Sequence, residues 1–180
     1  MALDLKELFA TAFMNLCEKK AVGKITVNDI IDESNLSRKS FYNYFRDKHD
    51  LIQYCYRTRV EPQWYTEAND AENLKKWNLE WLENIKKHSK FMKGALTSDE
   101  TNSLRQYILT HDRNADLEWF KKTAECEVSK ETLLCIDYHA GACRYMVIEW
   151  VLSETPISPE KMEELISFSR HSILKLLKHD

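Results

Sequence analysis

The chain has 180 residues, of which 43% are hydrophobic and 31% charged, with three glycines and three prolines. A chain of this length can bury a hydrophobic core without disulfides or metals. The composition excludes the disordered, collagen-like and low-complexity classes and favours helix. The spacing of Gly23, Gly94 and Gly141 also excludes the GxGxxG and GxxxxGK[ST] nucleotide-binding loops.

The first residues of the sequence and the length of its apolar runs predict a cytoplasmic protein with no membrane partner. Asp4 and Glu7 stand where a signal peptide would carry positive charge. No apolar run approaches the roughly 18 residues that a membrane-spanning helix needs.

The arrangement of potential catalytic and metal-binding residues favours a protein that is not an enzyme and needs no cofactor or metal. The sequence contains no HExxH, GxSxG or Cys-His-Asn signature. The five cysteines form no CxxC pair, so they are expected to be reduced thiols. Cys135, His139 and Cys143 share one stripe of a predicted helix, but a straight helix cannot wrap all three around one ion.

Positive charge is concentrated in one segment although the whole chain carries a net charge of −3. Between Ser37 and Lys48 four basic residues stand against one aspartate, a net charge of +3. A surface that binds DNA needs this local density rather than a basic chain as a whole.

The first part of the chain is predicted to form helices separated by residues that suit helix caps and turns. Apolar residues repeat every three or four positions over 3–21, which indicates an amphipathic helix. Thr26 followed by Asp29 three residues later is a capping box and predicts a second helix over about 27–34. Asn35 tolerates the left-handed conformation, so we expect a tight turn there.

A third and a fourth helix follow the turn. Ser37 is a suitable N-cap for a helix over about 38–44, in which Phe41 lies on the buried side. Asp47 is the predicted cap of a helix over about 48–60. Two short helices joined by a tight turn and preceded by a bracing helix describe a helix-turn-helix.

The segment from Ile25 to Leu51 resembles the TetR/AcrR family of transcriptional regulators, and the resemblance covers about residues 5–55. The family pattern has Tyr, one residue, His or Tyr, and Phe, and then Lys, two residues and Leu. The chain departs from the pattern at Ser34-Asn35, where the family has Ala-Gly, and at Ile31, where it has Ala. The positions in register are Tyr42, Tyr44, Phe45, Lys48 and Leu51.

The helix-turn-helix prediction indicates which residues contact double-stranded DNA. The first residues of the second helix of such a motif enter the major groove, so residues 37–40 are expected nearest the bases, and an arginine or lysine there suits guanine. The resemblance implies that Tyr42 and Tyr44 contact the groove and the phosphates. It also implies that Lys48 and Thr26 anchor phosphates. The alternative is a solvated basic face beside a small aromatic core. The predicted DNA-binding residues are Thr26, Ser37, Arg38, Lys39, Ser40, Tyr42, Asn43, Tyr44 and Lys48.

The remainder of the chain is also predicted to be helical. Helices are expected over 71–88, around Phe91 to Leu96, from 103 to about 125 with an interruption or a bend around His111–Asn114, over 131–153, and from Pro159 to about 178. The predicted fold is therefore all-α, with about nine helices. It divides into a helix-turn-helix domain over 1–50 and a helical ligand-sensing and dimerisation domain over 51–180.

The resemblance implies a homodimer that binds a palindromic operator, because two recognition helices must reach successive major grooves about 34 Å apart. In the family the last two long helices form the dimer interface. The residues predicted there are Val147, Trp150, Leu165 and Ile173.

Two modes of control are open at this point. The resemblance implies a repressor, as is usual in the family, and an aromatic-rich pocket between the middle helices would then bind a small effector that releases the protein from DNA. The run from Tyr138 to Gly141, followed by Glu149-Trp150, resembles the C-terminal region of a subgroup that includes activators of dihydroxyacetone kinase operons, and this implies a coactivator controlled by a partner protein. The predicted pocket residues are Trp77, Trp81, Tyr107, Trp119 and Tyr138.

Overall fold

The computed structural model describes residues 4–62, 71–97, 103–124, 129–153 and 157–177, and these ranges contain nine α-helices, one 3-10 turn and no strand. This confirms the predicted all-α class. The helices are α1 Leu5–Lys19, α2 Val27–Ser34, α3 Arg38–Tyr44, α4 Lys48–Arg59, α5 Ala71–Lys87, α6 Ser89–Leu96, α7 Leu104–Ala124, α8 Lys130–Leu152 and α9 Pro159–Leu177, with the 3-10 turn at Val22–Lys24.

Helix α7 differs from the sequence expectation. It runs without a break from Leu104 to Ala124, so the first of the two alternatives predicted around His111–Asn114, an interruption, was wrong. The segment contains neither glycine nor proline. Asp and Asn lower helix propensity by only a few tenths of a kcal/mol each. Tertiary packing of the rest of the helix offsets a cost of this size.

The chain forms two compact units, each assembled from two segments. The first unit comprises Met1–Glu61 and His88–Gln106, and the second comprises Pro62–Lys87 and Tyr107–Asp180. Helices α4 and α6 thus belong with the first three helices, and the first unit is larger than the predicted domain over 1–50.

The core of the first unit is built from aromatic rings. Phe9 of α1 packs edge-on against Phe41 of α3, with 5.3 Å between ring centroids, and against Phe45 at 6.3 Å. Phe13, one turn along α1, packs edge-on against Phe91 of α6 at 6.1 Å. Helix α1 therefore holds both α3 and α6, one on each of two successive turns.

Gly94 allows α6 to approach the 3-10 turn closely. A Cβ atom added to Gly94 would lie 2.5 Å from Cγ2 and 2.7 Å from Cβ of Val22. Val22 is β-branched and buried, so it cannot move aside by rotating a flexible end.

The core of the second unit brings together α5, α7, α8 and α9. It contains a cluster of buried side chains, against which Trp77, Leu117 and Cys135 pack. Arg113 of α7 also forms a two-pronged ion pair with Asp137 of α8, at 2.6 and 3.0 Å. The buried members of the cluster are Leu74, Trp119, Phe120, Ile136 and Ile173.

Within the described part of the chain, every helix is too short or too polar to cross a lipid bilayer.

We expect Gly94→Ala to lower the free energy of unfolding by about 1–3 kcal/mol, because the new methyl group would overlap Val22. The matched control is Gly23→Ala in the 3-10 turn, where an added Cβ meets nothing within 4 Å. That change should alter the free energy of unfolding by no more than about 0.5 kcal/mol. Urea unfolding measures both variants, and equal shifts would show that α6 does not need a glycine.

Candidate nucleic-acid interface

Helix α2 begins at the predicted capping box. The Thr26 hydroxyl accepts a hydrogen bond from the Asp29 amide at 3.2 Å, and Asp29 Oδ2 accepts from the Thr26 amide at 2.6 Å. Lys20 Nζ lies 2.9 Å from the same carboxylate oxygen. The hydrogen bonds from Lys20 and Thr26 hold the pKa of Asp29 well below its usual range. The Thr26 side chain is thus engaged at the helix start.

The turn and the start of α3 also follow the sequence prediction. Asn35 has φ 54° and ψ 30°, the left-handed conformation, and it is the one described non-glycine residue with positive φ. The Ser37 hydroxyl accepts a hydrogen bond from the Ser40 amide at 3.0 Å. These local contacts fix where α2 ends and α3 begins.

Helix α3 has one buried side and one exposed side. Phe41 is fully buried, whereas Tyr42 is 48% and Tyr44 41% exposed. We call the exposed side the α3 outer face. It consists of Ser37, Arg38, Lys39, Tyr42, Asn43 and Tyr44, all exposed, and it leaves out Ser40, which is half-buried.

Arg38 is held by two neighbours on this face. Its Nη1 donates to Asn28 Oδ1 of α2 at 2.6 Å, and its Nη2 lies 3.4 Å from the Tyr42 hydroxyl. The guanidinium carbon lies 5.4 Å from the centre of the Tyr42 ring. Sequence reasoning missed Asn28. The available signal was that Asn28 and Arg38 both lie in the first turn of a helix of the motif.

Lys48 serves a structural purpose that the sequence did not reveal. Its ammonium donates to the backbone oxygen of Ile25 at 3.0 Å and to that of Val22 at 3.3 Å. The side chain is half-buried. Two of its three donors are therefore used inside the unit, which leaves one donor for the predicted phosphate contact.

The family comparisons agree with this geometry. The model of bacterial regulatory proteins of the tetR family matches residues 11–55. A TetR-family model described as a transcriptional regulator C-terminal region matches residues 72–169, more than half of the chain. The chain belongs to the TetR family of DNA-binding transcriptional regulators.

One curated relative and one solved structure extend the comparison. The relative is the HTH-type dhaKLM operon transcriptional activator DhaS of Lactococcus lactis subsp. lactis (strain IL1403), 21% identical over 152 residues, which are 72% of this chain and 79% of that protein. The structure is a dihydroxyacetone kinase operon activator DhaS with a TM-score of 0.70 and 18% identity, covering 99% of this chain and 98% of that one. This likeness shows that the described residues of this chain share the fold of that protein.

The aromatic residues predicted for an effector pocket lie in different surroundings. Trp77 and Trp81 stack with 5.9 Å between centroids, and Trp81 is 6% exposed. Trp119, also 6% exposed, packs in the core of the second unit beneath the guanidinium of Arg170. Tyr107 stacks on His111.

Tyr138 departs from the pocket prediction. It is 75% exposed, since it lies on the outward side of α8. It lines an open apolar groove of about 450 Å³ between α8 and α9 together with Leu134, Cys135, Phe168, Ser169, Ser172 and Ile173. Its position on α8 therefore suits an exposed surface rather than an enclosed cavity.

A buried polar side chain, His139, contacts Ser169 of this groove. His139 is fully buried, and its Nδ1 lies 2.9 Å from Ser169 Oγ and 3.6 Å from Cys143 Sγ. Burial, with Arg170 and Arg144 nearby, lowers the pKa of His139 to about 4. The imidazole is therefore neutral at pH 7 and acts as a hydrogen-bonding core residue.

Three of the four residues predicted at a dimer interface are buried within one copy. Val147 is 5%, Trp150 8% and Ile173 6% exposed, and Trp150 Nε1 donates to the Ile157 carbonyl oxygen at 2.9 Å. Burial within one copy argues against direct contact between these three and a second copy. Leu165 is 38% exposed and keeps its place on the surface.

We expect Lys48→Met to lower the free energy of unfolding by about 1–3 kcal/mol, because two backbone oxygens lose a charged donor. The control is Lys39→Met on the α3 outer face, whose side chain is exposed. That change should stay within about 0.5 kcal/mol. Urea unfolding without DNA measures both, and equal stability of the two variants would contradict the structural role of Lys48.

Proposed function

We propose that this chain is a dimeric transcriptional activator that binds a palindromic operator in the cytoplasm through the α3 outer face. The observation that carries the proposal is the division of α3 into a fully buried Phe41 and an exposed polar side. A helix anchored by one ring and polar on its opposite side can enter the major groove without losing contact with its own core.

The chemistry of the outer face suits the reading of bases. Arg38 and Lys39 lie in the first turn of α3, where side chains of a helix-turn-helix meet base edges. Each good two-pronged contact to guanine discriminates by about 1–3 kcal/mol. Tyr42, Asn43 and Tyr44 follow on the exposed side as groove and phosphate contacts.

An exposed apolar face on α8 and α9 supports the dimer. Tyr138, Tyr145 and Phe168 are 75%, 63% and 74% exposed, so a single copy leaves most of these three large side chains uncovered. Between the two tyrosines lie Gly141 and Ala142, also exposed, and small residues let helices approach closely. We assign this face to a second copy, because a single recognition helix reaches only half of a palindromic site.

The direction of control is proposed from the relatives. The Lactococcus relative and the solved structure are both described as operon activators. This supports activation by the present chain, whereas the family at large led to the expectation of a repressor.

Control by a partner protein is the second element of the proposal. Trp81 and Trp119 are nearly enclosed by their own unit, which leaves them little surface for a small ligand. This supports the partner-controlled alternative over an aromatic pocket for a small effector.

Replacing Arg38 and Lys39 together by alanine should reduce affinity for a selected operator at least about 10-fold and abolish site preference. The operator is a duplex enriched by the wild-type protein from a randomised library, and fluorescence anisotropy at two salt concentrations measures binding. The slope of log affinity against log salt should fall by about one for each phosphate that the variant no longer neutralises.

The charge-matched control is the double change of Lys86 and Lys87 on α5 to alanine, since both are exposed, lie outside the proposed dimer face and carry two positive charges. An equal loss of affinity in the two double variants would mean that net charge alone drives binding, and the outer face would then have no reading role.

Phe168→Glu should convert the dimer into a monomer, because a carboxylate in a buried apolar interface lacks a partner. Phe168→Leu keeps the apolar character and should stay dimeric. Sedimentation velocity at micromolar concentration gives the masses. A dimeric Phe168→Glu protein, or a monomeric wild type, would overturn the assignment of this face.

A further inference from the structure

Arg38 is oriented in the DNA-free protein by two side chains of the helix-turn-helix itself. Asn28 Oδ1 accepts from its Nη1 at 2.6 Å, and the Tyr42 hydroxyl lies 3.4 Å from its Nη2. All three residues are exposed, so this arrangement is not imposed by burial. It results from hydrogen bonding on the surface.

The backbone of the motif brings these residues together. Asn28 lies in the first turn of α2, and Arg38 is the first residue of α3. The left-handed Asn35 reverses the chain between the two helices. Tyr42 follows Arg38 by four residues, one turn along the same face of α3.

The hydrogen-bond capacity of Arg38 is not exhausted by these contacts. A guanidinium carries five N–H groups, and Asn28 and Tyr42 engage one on each terminal nitrogen. The N–H of Nε and one further N–H on each terminal nitrogen remain. This is enough for the two parallel hydrogen bonds that recognise O6 and N7 of guanine.

We propose that Asn28 is a positioning residue that holds Arg38 for the recognition of one guanine in each half-site. This inference rests on the proposed DNA-binding function and adds a specificity-determining residue outside the recognition helix. The physical basis is preorganisation, because a long arginine side chain that is already ordered loses less conformational freedom on binding. An immobilised side chain of this kind corresponds to about a 2- to 10-fold difference in affinity.

A double-mutant cycle tests the proposal. The proteins are the wild type, Asn28→Ala, Arg38→Ala and the combined variant. One probe is the duplex that the wild type enriches from a randomised library. The other probes carry each alternative base pair at the position where Arg38→Ala loses discrimination. Fluorescence anisotropy at one fixed salt concentration gives each affinity.

We expect Arg38→Ala to lose about 5- to 150-fold discrimination at one G·C pair. Asn28→Ala should lose about 2- to 10-fold at that same pair. When Arg38→Ala is already present, adding Asn28→Ala should lower neither affinity nor discrimination any further. The same loss in both backgrounds would mean that Asn28 contacts DNA independently, and no loss or a gain in affinity would mean that it does not prepare Arg38; each result overturns the proposal.

Two further variants separate positioning from a general structural role. Asn28→Asp keeps the Oδ1 acceptor, so it should retain discrimination while its added negative charge weakens binding to all duplexes alike. Loss of discrimination in Asn28→Asp would contradict the role of the acceptor. Asn15→Ala, at an exposed position of α1, is the matched control and should change neither affinity nor discrimination.

The outcomes also distinguish this inference from the proposed function. A wild-type protein that enriches no duplex from the library overturns both. A wild-type protein with clear site preference, whose Asn28 and Arg38 variants behave additively, overturns only the positioning role.

Discussion

The orientation of α3, the helix proposed to enter the major groove, depends on the contact between Phe41 and Phe9. Helix α3 has only seven residues, two turns, and a helix of this length is not stable by itself in water. Phe41 is fully buried and packs edge-on against Phe9 at 5.3 Å. Since Phe41 fixes the rotation of α3 about its axis, it also decides which residues form the outer face.

Local chemistry made much of this unit readable from the sequence. The capping box of Thr26 and Asp29, the left-handed Asn35 and the Ser37 cap each act within three or four residues. Such contacts depend on residue type and short spacing, so they can be recognised without a structure. The bounds of α2 and α3 were therefore predicted to within a residue.

Contacts over a longer separation could not be read in this way. Lys48 donates to carbonyl oxygens 23 and 26 residues earlier in the chain, and Asn28 reaches Arg38 ten residues later. In α8, apolar residues occur on nearly every side, so helical periodicity did not separate the buried Val147 from the exposed Tyr138. Periodicity identifies apolar faces, but only tertiary structure decides which of them one copy covers.

The internal contacts of the basic residues bear on how the protein can recognise DNA. Of the residues that give the local positive charge, Lys48 binds two carbonyl oxygens, Arg38 binds Asn28 and Arg46 pairs with Asp50. A phosphate can displace the Asp50 carboxylate from the exposed Arg46 at little cost, because ion pairs at the surface contribute little stability. It cannot take both carbonyl-bonded donors of Lys48 without leaving those oxygens unsatisfied. Lys48 can therefore offer a phosphate one donor, whereas Arg38 is already oriented by Asn28. Under the proposed function, specificity comes from oriented contacts such as that of Arg38 rather than from charge alone.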